Sequence, residues 1–214
     1  DRSPSRGLGD VYKRQEGGSA AALKLDVSAM DSFQAFRDEV VGVLAREFQA
    51  GELVGLVNNA GYGLFNPIES VTQAQFDGLL NVHLKGPFFL TQTLLPLLQE
   101  GASIVNVTSA TTRVATVGVA PYAAFKAGLE VLARYMAKEF GERRIRVNAV
   151  SPGPVRTELG GGLNAEFEVL LAGQTALGRI GEPEEVARVI AMLLTADGAW
   201  INGQSIEVAG GYII

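Results

Sequence analysis

The stretch SIVNVTSATTRVATVGVAPYAAFKAGLEVLARYMAKEF, residues 103–140, decides the fold, because two kinds of structure follow one another in it. SIVNVTS (103–109) is a short, nearly continuous apolar run rich in β-branched residues, the pattern of a strand buried on both faces. ATTRVATVGVAP (110–121) reads as a loop, and PYAAFKAGLEVLARYMAKEF (121–140) as a long helix. A buried strand that feeds a long helix is half of a parallel crossover unit.

The same alternation repeats on either side. AALKLDV (21–27), LVGLVNN (53–59), IRVNAVS (145–151) and SIEVAG (205–210) read as further strands. Helical patterns cover 29–49, 73–99 with a bend or break near Gly86 and Pro87, 120–141, and 183–194. Apolar strands separated by helices give an α/β, doubly wound parallel sheet covered on both faces. In such sheets the ligand sits beyond the carboxyl ends of the strands. At 214 residues and 47% hydrophobic content the chain supports one core and demands no second domain.

Composition removes several function classes. The net charge of −5 provides no basic footprint for nucleic acid and no polybasic membrane patch. Without cysteine there are no disulfides, thiolate metal sites or thiol nucleophiles, and a single histidine excludes a His-rich metal site. With no membrane-length apolar run and no signal peptide pattern, the expectation is a soluble, cytoplasmic protein whose partner is a small molecule or another copy of itself.

The strand ends carry the chemistry. LVGLVNN runs into NNAG (58–61), SIVNVTS ends in Thr108 and Ser109, and IRVNAVS runs into SPGPVRT (151–157). Small polar residues and glycines leave room for a ligand to approach the backbone; turn chemistry alone is the plain alternative for any one of them. Tyr122 precedes Lys126 by four residues, which puts both on one helix face, and Ser109 lies thirteen residues before Tyr122 at a strand end. A hydroxyl, a phenol and an ammonium therefore converge. Free tyrosine has a pKa of about 10, and a nearby cation lowers it by stabilising the phenolate. So tuned, the phenol exchanges a proton with a carbonyl or alcohol oxygen to which the serine also hydrogen-bonds. The hydride that remains requires a redox cofactor, since no side chain carries one. A packing tyrosine at a helix start beside a solvated lysine is the other reading.

Taken in order, LDV (25–27), NNAG, NVHLKGPFFLTQ (81–92), the serine of NVTSA (106–110), YAAFK (122–126), NAVSPGPVRT (148–157) and INGQSIEVAGG (201–211) resemble the classical short-chain dehydrogenase/reductase family. The resemblance implies a Rossmann-like fold, NAD or NADP as cofactor, and a small carbonyl or alcohol substrate. It implies Ser109, Tyr122 and Lys126 as the catalytic set, with Asn81 assisting proton delivery. On the cofactor side it implies Asp26 near the adenine, Asn58, Ala60 and Gly61 at the turn, and Pro152, Gly153, Val155 and Thr157 toward the nicotinamide, with Tyr122 and Lys126 also contacting the cofactor. Lys126 is expected to lower the Tyr122 pKa and hold the nicotinamide ribose. Helices 73–99 and 120–141 are implied as the subunit interface of a homo-oligomer, a dimer or tetramer in the full-length parent. His83 has no role in the family pattern and reads as a structural histidine. Glu184 and Glu185 after Pro183 read as first-turn residues favoured by the helix dipole.

The front of the chain departs from the family. Members open on a strand and a glycine-rich turn, TGxxxGxG, that holds the cofactor pyrophosphate. DRSPSRGLGDVYKRQEGGSA (1–20) has glycines with no apolar strand before them and no amphipathic helix after. The expectation is therefore a domain lacking its first β-α-β segment: residues 1–20 a leader outside the family pattern, disordered or artefactual, and 21–214 a single partial domain. An alternative follows, a catalytically incompetent fragment that cannot grip the cofactor. Residues 158–178, glycine-rich at the start and apolar in the middle, are expected to form a lid over the substrate.

Overall fold

The computed structural model describes residues 19–157, 162 and 164–214. Most of the expected leader (1–18) and the start of the expected lid (158–161 and 163) lie outside the described residues. Among the described residues four strands, β1 (Leu53–Asn58), β2 (Leu98–Val107), β3 (Arg146–Pro152) and β4 (Ser205–Val208), form one sheet in the order β1-β2-β3-β4. Every neighbouring pair is parallel, so the crossovers must be long, and helices supply them. Helix α1 (Phe33–Val43) precedes β1. Helices α2 (Gln73–Leu80) and α3 (Gly86–Leu94) connect β1 to β2, α4 (Ala120–Glu139) connects β2 to β3, and α5 (Ala165–Gly173) and α6 (Pro183–Leu194) connect β3 to β4.

Local chemistry sets the helix boundaries. Thr72 caps α2 in a capping box with Gln75, and Glu182 and Glu185 form the equivalent box at α6, where Pro183 starts the helix. The helix expected over 73–99 is interrupted by a π turn at Asn81–Lys85 and resumes at Gly86. Glycine is required there, because a Cβ would lie 2.3 Å from the Val27 carbonyl oxygen. The helix also stops earlier than its apolar pattern implies. Pro96 closes it in a 3-10 turn at Leu95–Leu97, and Leu98 already pairs with Leu53 in the sheet.

The sheet is buried on both faces at its centre. On one face Ala133, Met136 and Ala137 of α4 pack against Leu98, Ile104, Ile145 and Val147. Helices α1 and α3 continue that layer through Phe33, Leu90 and Leu94. On the other face Val186 and Leu193 of α6 cover Val105 and Val150. Ile104, Val105, Val147 and Val150 are 0% exposed, and each contributes about 1.5–3 kcal/mol of burial. The core therefore centres on β2 and β3, and their carboxyl ends stand on its most fully buried part.

One expected strand is absent as such. AALKLDV alternates between half-buried and exposed residues like a strand, yet it has no ladder partner among the described residues. Leu25 and Val27 pack instead on the α1–α3 cluster. Strand pairing is non-local, and period-two alternation alone does not supply a neighbour. Among the described residues β1 pairs only with β2, which leaves it an edge strand with Val54 67% exposed. Exposed apolar edges template pairing with other chains. Val54→Lys is expected to reduce concentration-dependent self-association, measured by light scattering, without lowering the melting temperature; unchanged scattering would show that this edge is not the sticky surface.

Candidate active site

A cleft of about 670 Å³ opens at the carboxyl ends of the strands. Gly61 after β1, Thr108 and Ser109 after β2, Tyr122 and Lys126 on α4, and Pro152, Gly153, Val155 and Thr157 at and after the end of β3 all line it. Parallel pairing explains this assembly. Because Asn58 pairs with Asn106, and Val107 with Val150, the three chain exits leave the sheet side by side.

Ser109 is the N-cap of a short 3-10 turn, and its Oγ accepts from the Thr111 N–H at 3.2 Å. The Ser109 hydroxyl faces the Tyr122 phenol and acts to lower its pKa. Lys126, 5% exposed, donates from Nζ to the Val107 carbonyl at 2.7 Å and lies 5.8 Å from the centre of the Tyr122 ring. Burial lowers the Lys126 pKa to about 8. The expected lowering of Tyr122 is corrected here. Burial raises the phenol pKa, and the Ser109 hydrogen bond only partly opposes it. Burial is the larger of the two effects on the phenolate, so the phenol keeps its proton at neutral pH.

Glu130, one turn beyond Lys126, is a site residue that sequence reading missed. Its Oε1 accepts from Thr108 Oγ1 at 2.9 Å, Thr112 Oγ1 at 3.0 Å and Ser151 Oγ at 3.5 Å. It thereby ties α4 to the ends of β2 and β3 and to the turn that carries Ser109. The available signal is spacing, since Tyr122, Lys126 and Glu130 recur at four-residue intervals on one helix face.

Other expected site residues divide. Asn58 turns inward, its Nδ2 donating to Thr91 Oγ1 at 3.1 Å and Asn106 Oδ1 at 2.8 Å, which stitches β1 to β2 and α3. Ala60 is exposed beside Gly61 and does not line the cleft. Asp26 lies away from the cleft in an exposed turn, and its carboxylate accepts from the Ser28 N–H at 2.9 Å and the Ser28 hydroxyl at 2.7 Å, which lowers its pKa. Asn81 is half-buried at the start of the π turn, outside the cleft lining, and its carbonyl accepts from the Gly86 N–H. The cleft residue on that turn is His83, fully buried, with Nε2 2.9 Å from the Tyr62 carbonyl oxygen and its ring edge-on to Tyr122 at 4.9 Å. Burial first, and the nearby Lys126 charge second, lower the His83 pKa to about 4.

The residues present fit the nicotinamide and ribose end of a dinucleotide. Gly153 is packed so closely that a Cβ would meet Ala209 Cβ at 2.6 Å, which keeps the floor of the cleft flat beside Pro152 and Val155. Among the described residues no glycine-rich helix N-terminus lines the cleft for a pyrophosphate.

Comparison with known proteins identifies the family and the fold. The family model described as enoyl-(acyl carrier protein) reductase matches residues 6–213. The 3-oxoacyl-(acyl-carrier-protein) reductase FabG of Thermotoga maritima is 37% identical over 211 residues, covering 97% of this chain and 83% of the relative. The angucycline C-6 ketoreductase LanV, solved with bound NADP, superposes with a TM-score of 0.90 at 31% identity, covering 95% of this chain and 79% of that one. A short-chain dehydrogenase/reductase of Serratia marcescens gives 0.90 at 31% identity, covering 100% and 85%. The chain belongs to the short-chain dehydrogenase/reductase family of NAD(P)-dependent oxidoreductases. No helix among the described residues is long and apolar enough to cross a membrane.

The buried histidine makes stability depend on pH. Its folded pKa of about 4 lies below the ordinary 6.5, so the unfolded chain binds the proton more readily. The associated stability is fully present above pH 6.5 and is lost as pH falls toward 4. The melting temperature is expected to drop over that window, and His83→Asn should flatten the drop relative to the unaltered chain. Parallel melting curves would remove His83 as the cause.

Proposed function

We propose that this chain interconverts a carbonyl and an alcohol, with Tyr122 exchanging the proton at the substrate oxygen. The observation that carries the reading is the meeting of Tyr122, Ser109 and Lys126 in one cleft at the strand ends, with the Lys126 ammonium 5.8 Å from the centre of the Tyr122 ring. A bound nicotinamide cofactor, NAD or NADP, supplies or accepts the hydride. Ser109 orients the substrate oxygen by hydrogen bonding. Tyr122, protonated at neutral pH, donates to the oxygen as negative charge develops there during reduction and takes the proton back in the reverse reaction. Lys126 holds the ribose with the donors not committed to Val107 and keeps positive charge beside the phenol as it loses its proton. Pro152, Gly153, Val155 and Thr157 hold the carboxamide end, and Leu171 of α5 closes the cleft above the substrate.

The carbonyl substrate is a small molecule, and the chain acts as a cytoplasmic homo-oligomer, a dimer or tetramer assembled through the α2–α3 and α4 helices. Exposed apolar side chains on both, Phe89 at 38% and Tyr135 at 64%, support that surface. A monomer mass by light scattering at micromolar concentration would remove the oligomer from this reading.

Tyr122→Phe is expected to lower ketone-dependent NAD(P)H oxidation by at least about a hundredfold while leaving cofactor binding, followed by nicotinamide fluorescence, within a few-fold. Retention of most of the turnover would remove Tyr122 from the chemistry. Saturable binding without turnover on any carbonyl would favour a protein that keeps the proton machinery and does no reduction.

A further inference from the structure

The turn that carries Ser109 is tethered by a residue outside the cleft lining. Ser109 is the N-cap of the 3-10 turn Ala110–Thr112, and Arg113 is its C-cap, with its backbone N–H bonded to the Ala110 carbonyl at 3.0 Å. The Arg113 side chain reaches the other end of the chain. Its guanidinium forks onto Glu207 of β4 through Nε at 2.8 Å and Nη2 at 2.7 Å, and it donates to the Tyr212 and Ile213 carbonyls, both at 2.7 Å. Four bonds from one planar cation fix orientation as well as distance, which the point charge of a lysine does not do.

The segment it grips, 210–213, forms a strap. Gly210 and Gly211, at φ of +60° and +77°, turn the chain after β4. The strap then runs antiparallel to the residues that follow α5. The Ala176 N–H donates to the Gly211 carbonyl at 3.1 Å, the Leu177 N–H to the Gly210 carbonyl at 3.1 Å, and the Ile213 N–H to the Gln174 carbonyl at 3.0 Å. Ile213 stands at φ +46°, a left-handed conformation that a β-branched residue keeps only where its surroundings over-determine it. Both of its backbone groups are engaged, the N–H by Gln174 and the carbonyl by Arg113. Packing follows the same line: buried Tyr212 clusters with Ala110 and Val114 of the Ser109 segment, and Leu171 of α5 rests on that cluster. The Ser109 turn and the helix that brings Leu171 to the cleft therefore share one support.

We propose that Arg113 is a positioning residue for the reduction: by clamping the end of the Ser109 turn to the strap, it fixes where the serine hydroxyl stands relative to the Tyr122 phenol and the Leu171 wall. The proposal rests on the carbonyl-reduction reading of the same cleft. The turn lies beyond the end of β2, so the sheet ladder does not hold it. Glu130 holds it from α4 through Thr112, and Arg113 holds it from the strap. With the second tether gone, the turn pivots on the first and Ser109 loses its place at the substrate oxygen. Tyr122 and Lys126 lie on α4, not on the turn, so the cofactor keeps its contacts with them.

In oxidation of NADH or NADPH by ethyl acetoacetate, a small ketone, Arg113→Met is expected to lower kcat by about tenfold. Cofactor affinity, followed by nicotinamide fluorescence, should change by less than about threefold, because the loss falls on orientation of the reacting group. On a Ser109→Ala background the same substitution should cost less than about twofold, since residues that act through one another are not additive. A full further loss on that background, or an unaltered kcat in the single variant, would overturn the proposal. If Arg113→Met fails to fold, Arg113→Lys keeps the charge, loses the fork and takes its place in every arm. Hydrogen exchange of the full chain, followed by mass spectrometry, reads the tether without turnover. Faster exchange in 109–114 as well as in 210–214, with β2 and β3 unchanged, is expected; acceleration confined to 210–214 would refute the coupling. If the unaltered chain turns over no ketone, the functional reading falls, and the exchange result alone decides whether Arg113 holds the Ser109 turn.

Discussion

The Glu130 carboxylate holds the active end of this molecule together. At the carboxyl ends of β2 and β3 the chain leaves the ladder, and hydroxyls that have lost contact with water need acceptors. One carboxylate on α4 receives three of them, from Thr108, Thr112 and Ser151. Together with the packing of Ala133, Met136 and Ala137 on the sheet, the two short bonds from Thr108 and Thr112 fix the rotation of α4 about its own axis. With that rotation fixed, Lys126 is placed under the Val107 carbonyl, and Tyr122, a further turn toward the helix start, meets Ser109. The register of the sheet and the face of one helix thus determine each other.

Burial runs against ionisation throughout the cleft, and the chemistry uses that opposition. Lys126 is drawn down to about 8 and His83 to about 4, while Tyr122 is pushed up. At neutral pH the site therefore holds a charged ammonium, a neutral imidazole and a protonated phenol, a combination suited to donating a proton to an oxygen that is gaining charge. In water the phenol would be protonated as well, but neither hydroxyl nor ammonium would be held in place. The protein contributes geometry more than a change of acidity.

Sequence pattern made the architecture legible wherever structure is local. Helices α1, α4 and α6 and the β2 and β3 strands follow from periodicity, and the serine, tyrosine and lysine from spacing and residue type. What escaped was set by non-local contacts. AALKLDV has a strand's alternation and lacks a neighbour. Glu130 looks like a solvated charge until the rotation of α4 is known. Asn58 looks like a ligand contact, because nothing in NNAG says that its amide turns inward to Asn106. His83 and Asn81 sit two residues apart, and only the π turn decides which of them enters the cleft. The sign of the Tyr122 shift depends on a balance of burial and charge that residue identity does not contain.

Helix α5 differs from every other long helix in having no buried residue among those described. It is fastened from outside. Arg156, just after β3, forks onto Glu168 of α5 with contacts of 2.6 and 2.7 Å and reaches Glu182 at the start of α6 at 3.2 Å. Pairs of this kind between exposed groups are weak and screened by salt. Displacing α5 breaks no backbone ladder of the sheet, but it lifts Leu171 off the cluster of Ala110, Val114 and Tyr212, so uncovering the cleft works against ion pairs in water and a small apolar contact together. The ionic half of that fastening weakens as salt rises, while the sheet beneath it, held by buried apolar packing, does not share the dependence.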